Sequence, residues 1–160
     1  MLHEGVGVMA EWQVEIPNDF LKELLQTDSE QLCLDMLNEA APLLEESMKK
    51  EVSSAIRHKD RSTGELIDSI SARKATKCVN GAFLVFVGPK GYSRNYYVAR
   101  NGHNVKTHRK YKMSNAFKLM IIEYGLHNQP AIPTIQRATN AVESKALQLM
   151  QDFYDKKVGG

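Results

Sequence analysis

Asn80-Gly81 stands between two strand-like runs, residues 72–79 and 82–87, and this feature constrains the chain more than any other. Asn and Gly both tolerate positive φ, as a two-residue type I′ turn requires, so the spacing predicts an antiparallel β-hairpin. The second run, Phe83-Leu84-Val85-Phe86-Val87, is apolar at every position. A strand without a polar side predicts cover on both faces and a central place in its sheet. A lone hairpin is marginal in water, so other elements must cover it.

Two helical patterns supply that cover. Apolar residues recur at Cys33, Leu37, Ala40, Leu44, Met48, Val52 and Ile56, which predicts an amphipathic helical region over about 29–57 with Asp28 or Ser29 as its cap. Pro42 lies inside it, removes one amide donor and predicts a kink or a division into two helices. Pro130 and Pro133 bracket an extended entry to a second helix, about 133–156, with Ile135, Ala138, Ala141 or Val142, Ala146, Leu149, Met150 and Phe153 on one face. Smaller elements fill in the rest. Residues 1–10 read as a flexible tail, and Glu11–Ile16 alternates as a short strand that Pro17 ends. Phe20, Leu21, Leu24 and Leu25 fit a short helix, and residues 57–62 a polar loop. Thr63 can cap a helical turn over residues 64–70, with Glu65 near the capping-box position. Residues 114–124 fit a helix capped by Ser114 and stopped by Gly125, with Phe117, Met120, Ile121 and Tyr124 on its apolar face, although Ile121-Ile122 also permits a strand. Together these predict one α+β domain over residues 11–157, with helices covering an antiparallel sheet.

Charge is divided along the chain. Residues 1–60 carry 13 acids and 5 bases, a balance of −8, whereas residues 61–130 carry 12 bases and 3 acids, a balance of +9; the total is only +2. Much of the acid reads as the solvated face of the long helical region. Many of the bases fall in a segment without periodicity, about 88–115, which reads as a long loop. There Tyr92, Tyr96 and Tyr97 alternate with Arg94, Arg100, Lys106, His108, Arg109, Lys110 and Lys112. Lysine and arginine neutralise phosphates and tyrosines offer stacking faces, so the segment suits nucleic acid. It suits an acidic protein surface, or plain solvent, equally well.

Other classes lack their signatures. No apolar run, Leu119 to Ile122 included, approaches the roughly 20 residues of a bilayer span, and no secretory signal is visible. Cys33 and Cys78 form no CxxC pair, and the expectation is two small half-buried hydrophobes in a reducing setting. His103, His108 and Glu123 match no metal-ligand spacing, and no nucleophile or phosphate-loop motif is present, so neither metal nor cofactor is expected.

Two segments together resemble a known family. Ser62-Thr63-Gly64-Glu65-Leu66-Ile67-Asp68-Ser69-Ile70 is similar to a TG-x-L-x-x-SI signature. Ile122-Glu123-Tyr124-Gly125, followed by Gln129-Pro130-Ala131-Ile132-Pro133 and Arg137-Ala138, is similar to E-[FY]-G-T…P-A-x-P-F-x-R-P-A, with departures at Leu126, Thr134 and Thr139. In this order, with a long helix before, a hairpin between and a helix after, the chain resembles the tail-component proteins, which act in tail completion or head–tail joining, of long-tailed siphovirus-type bacteriophages and prophages. The resemblance implies a non-enzymatic protein of the virion tail, assembled in the bacterial host cytoplasm. It implies a homo-oligomeric ring, in the family a hexamer, between head-connector and tail-tube proteins, with transient DNA contact as a secondary role and no membrane. The residues carrying it are Thr63, Gly64, Leu66, Ser69, Ile70, Glu123, Tyr124, Gly125, Pro130, Pro133 and Arg137. On this reading Glu123 serves as a subunit contact or as a helix-orienting charge, with an ordinary exposed acid as the equal alternative. The acidic and basic blocks would then be two surfaces of one assembling subunit.

Overall fold

The computed structural model describes residues 29–56, 63–98, 110–126 and 128–158. The expected tail 1–10, strand 11–16, helix 18–25 and loop 57–62 lie outside them. The described residues form an α+β arrangement: α1 (Ser29–Ala55), α2 (Glu65–Ser69), β1 (Ile70–Ala72), β2 (Thr76–Lys77), β3 (Phe83–Leu84), β4 (Val87–Pro89), β5 (Tyr97–Val98), β6 (Lys110–Tyr111), α3 (Asn115–Tyr124) and α4 (Thr134–Val158).

Helix α1 runs unbroken through Pro42, so of the expected kink or division the division does not occur. The Pro42 ring is exposed, so the local loss is confined to one amide donor and the clash within its turn. The buried residues Ala40, Ala41, Leu44, Met48 and Val52 flank it and offset that cost. The helix is covered on two sides. Asn38 Oδ1 and Glu45 Oε2 accept hydrogen bonds from the Ala75 and Ala72 amides of the hairpin, both at 2.7 Å. Ser47, about 200° round the helix from Glu45, donates to the Ala138 carbonyl of α4 at 3.0 Å. Small residues Ala40, Ala41, Ala138 and Ala146, all buried, let α1 and α4 approach closely.

The hairpin forms, with a different turn and an irregular middle. Gly81 N–H donates to the Cys78 carbonyl at 3.0 Å and Cys78 N–H to the Ala82 carbonyl at 2.7 Å, so the loop has three residues, Val79, Asn80 and Gly81. Gly81, at φ 85°, supplies the left-handed residue of this turn-plus-bulge loop, in place of the expected two-residue type I′ turn. Strand β2 pairs with β3 and β1 with β4, both antiparallel. Between the Ala72–Val87 and Thr76–Leu84 pairs, residues 73–75 oppose only 85–86, which is a β-bulge. Ile70, expected in the preceding turn, and Ser71 belong to the first arm.

The return arm is covered on both faces, as its apolar run suggests. Among the described residues its one strand neighbour is the first arm. Val85 and Val87 join the core beside α1, while Phe86 lies beside α3 and under the Arg73 guanidinium, 4.5 Å from the ring centroid.

Helix α3 starts and stops where the sequence indicates. Ser114 Oγ accepts from Phe117 N–H at 3.1 Å, and Gly125 N–H donates to the Ile121 carbonyl at 2.9 Å. Its orientation reverses the expected face. Leu119 is the buried apolar side chain, whereas Phe117 and Tyr124 are exposed.

Candidate functional site

The segment read as a loop over 88–115 is organised at its root. Tyr92 bridges Ser114, and β5 pairs with β6 with Tyr97 opposite Tyr111, so the chain leaves and returns as an antiparallel arm. Two buried polar residues clamp that root. Ser93 N–H donates to the Met113 carbonyl at 2.8 Å, and Ser93 Oγ accepts from Met113 N–H at 3.0 Å. Asn115 Nδ2 donates to the Lys90 carbonyl at 2.8 Å, and its backbone amide donates to Gly91 at 3.0 Å. Neither residue was singled out from the sequence; both look like ordinary polar loop positions until the chain doubles back.

Residue Glu65 ties the arm to the rest of the fold. It does not close a capping box, and Thr63 does not cap α2. Gly64, at φ 72°, is the N-cap and makes no side-chain cap bond. The Glu65 carboxylate is therefore free to reach across, where it accepts from the Arg94 amide and, at 3.2 Å, from Lys118 Nζ of α3. The Arg94 amide, reinforced by Lys118 and opposed by partial burial, holds this carboxyl below its ordinary range. Glu45 is held low in the same way, first by Lys49 at 2.6 Å and then by the Ala72 amide.

These two shifts fix the sign of a pH effect. A carboxyl whose folded pKa is depressed contributes stability above its unfolded value, about 4.3 for Glu. That contribution is lost as pH falls through the lower folded value. Glu45→Gln and Glu65→Gln should therefore each flatten the fall of melting temperature on acidification below about pH 4.5. Thermal melts of the two variants and the parent across that range check it.

Around the clamped root the arm displays side chains outward. Tyr92 is 67% and Tyr96 63% exposed, the Lys112 ammonium stands 5.3 Å from the Tyr96 ring centroid, and the Arg94 side chain projects into solvent. The described residues thus bring together Tyr92, Arg94, Tyr96 and Lys112; Tyr97 and Lys110 are placed by backbone pairing. Arg100, Lys106, His108 and Arg109 lie outside the described residues.

The second motif segment builds the entry to α4. Glu123 Oε2 accepts from Thr134 Oγ1 at 2.9 Å and from Ile135 N–H at 3.0 Å, so its carboxylate sits at the positive end of α4. This is the helix-orienting role. Thr134 is buried, and its hydroxyl would lose its partner in Glu123→Ala. That variant is expected to lose about 2 kcal/mol in denaturant unfolding, with Glu123→Gln recovering part of it because an amide oxygen still accepts. Pro130 is exposed and Pro133 half-buried, and Arg137 is exposed one turn into α4.

The acidic and basic blocks meet partly within one subunit. Glu30 of α1 pairs with Lys77 across the two blocks, whereas the Glu65–Lys118 pair lies inside the basic one. Six of the thirteen acids of the first sixty residues lie on α1, where Glu39 and Glu46 are exposed. Cys33 is buried and its thiol pKa is raised by that burial and then by Glu30, while Cys78 is half-buried; both thiols are free. No group of three His, Cys, Asp or Glu among the described residues is placed to hold a metal ion, and no described helix is long and apolar enough to cross a membrane.

Set against known proteins, the chain matches no family model, no curated protein and no solved structure.

Proposed function

We propose that this protein is a non-enzymatic structural component of a phage or prophage tail, acting in tail completion or head–tail joining by assembling as a ring. One observation carries the reading. Glu65, within the first motif segment, holds both the root of the arm and Lys118 of α3, the helix that ends in the second segment. The second segment, through Glu123, then sets α4. The two signatures therefore act as one scaffold presenting an arm of exposed tyrosines and bases, the kind of surface that meets a neighbouring subunit.

Tyr96 under Lys112, beside exposed Tyr92 and Arg94, favours a second reading, a nucleic-acid-binding module. Sedimentation velocity and negative-stain electron microscopy over rising protein concentration, with oligonucleotide binding at low and moderate salt, separate the two. Ring-sized particles with weak oligonucleotide binding support the tail reading. A monomer at every concentration that binds oligonucleotide with a steep salt dependence overturns it in favour of the module.

A further inference from the structure

The hairpin has two edges, and the fold treats them differently. On the first arm the outward amides of Ala72 and Ala75 donate to Glu45 and Asn38, so α1 closes that edge. On the return arm, the bonds Arg73 N–H to Phe86 carbonyl and Lys90 N–H to Ser69 carbonyl fix the alternation. With the pairing register, they turn the amides of Phe83, Val85 and Val87 away from the first arm. Among the described residues no acceptor meets these three amides.

Beside this edge lies an apolar cleft of about 40 Å³, lined by Phe86, Val87, Leu119, Met120, Tyr124 and Ile135. Exposed apolar side chains continue from it, with Tyr124 62% and Leu126 58% exposed. Strand amides with no acceptor among the described residues, next to an apolar cleft, suit β-strand addition: the backbone supplies the bonds and alternate side chains fill the cleft.

One segment of the chain has the matching pattern. Glu11–Ile16 alternates, with Trp12, Val14 and Ile16 on one side and Glu11, Gln13 and Glu15 on the other, and Pro17 follows. It precedes Ser29, where the described residues begin, by a connection over residues 17–28 that extends to about 40 Å. The edge lies within that reach. Glu45 accepts from the amide of Ala72, the pairing partner of Val87, and is sixteen residues along α1 from Ser29, a rise of about 24 Å. A tether this short holds the segment at an effective concentration on the order of millimolar, which favours the chain's own segment over that of a second copy. We propose that residues 11–16 dock as an added strand on the Phe83–Val87 edge, with Trp12, Val14 and Ile16 directed at the cleft beside α3.

Trp12 is the only tryptophan, so its fluorescence reports docking in the full chain. The expected result is emission to the blue of a free tryptophan side chain, weak quenching by acrylamide, no change on dilution, and slow hydrogen exchange at the Val85 and Val87 amides. Met120→Gln and Tyr124→Ser, on the half-open lip of the cleft, should each shift the emission to the red while far-UV circular dichroism stays unchanged. Emission matching a free side chain, or fast exchange at both amides, overturns the proposal. A blue shift that fades on dilution also overturns it, by giving the edge to a second copy. One that ignores both cleft variants overturns it by placing Trp12 elsewhere.

Discussion

Gly125→Ala is expected to destabilise the protein by about 3 kcal/mol or more, a fall in melting temperature of about 10 °C for a chain of this length. Gly125 sits at φ 76°, ψ 176°, a region open to glycine and almost closed to other residues. A Cβ there would stand 2.4 Å from the Gln129 carbonyl oxygen and 2.8 Å from the Ala131 nitrogen. Both are backbone atoms of the tight turn closed by Leu126 and Gln129, which exchange hydrogen bonds at 2.9 and 2.8 Å. The turn cannot yield cheaply, because Ile132 N–H is bonded to Ile122 at 2.8 Å and the next residues carry the Glu123–Thr134 contact. Strain at one residue therefore spreads to the entry of α4. Gly81→Ala is the control. It has φ 85° and nothing within 4 Å of the added carbon, so only the left-handed penalty of about 1–2 kcal/mol applies. Denaturant unfolding of both variants checks the contrast, and equal losses would count against the steric argument.

That contrast also shows what a sequence can reveal. Gly125, Ser114 and Gly81 were legible because each needs only its near neighbours: a left-handed stop, a cap and a turn. The two long helices were legible because their apolar spacing repeats over many turns. What failed depended on distant partners. Phe117, Met120, Ile121 and Tyr124 do form one stripe, but periodicity cannot say which stripe faces the core, and Leu119 does. Phe83 to Val87 read as covered on both faces, and they lie between α1 and α3, but an apolar run cannot name a strand's neighbours within the sheet. Glu65 read as a local capping residue, and its actual partners, Arg94 and Lys118, are 29 and 53 residues away. Ser93 and Asn115 carried no signal because a clamp exists only once the chain returns. The arm's exposed chemistry at Tyr92, Arg94, Tyr96 and Lys112 was visible as composition, since exposed polar and aromatic residues need no packing partner to be recognised.

Ile70→Ala is expected to cost about 2–5 kcal/mol, the range for removing a large aliphatic side chain from a closed core. Ile70 is fully buried, sits where α2 passes directly into β1, and pairs with Pro89 at the base of the hairpin. The cavity left by alanine cannot close easily. On the strand side the backbone is fixed by the Ser71–Gly88 pairing, and the next residue, Ala72, is held by Glu45. On the helix side the Ser69 hydroxyl donates to Leu66 at 2.7 Å, and the Ser69 carbonyl accepts from Lys90 at 3.0 Å. Removing side chains from the arm should have the opposite profile. In Arg94→Ala the amide that holds Glu65 remains, and Tyr96 is mostly exposed, so Arg94→Ala and Tyr96→Ala should each change stability by no more than about 0.5 kcal/mol. Unfolding midpoints for the three variants, set beside their ring formation and oligonucleotide binding, separate scaffold from contact surface. The arm variants should keep the parent midpoint and lose partner binding, whereas Ile70→Ala should lose the midpoint first. A midpoint for Tyr96→Ala as low as that for Ile70→Ala would make the arm part of the core and remove it as the surface that meets a partner.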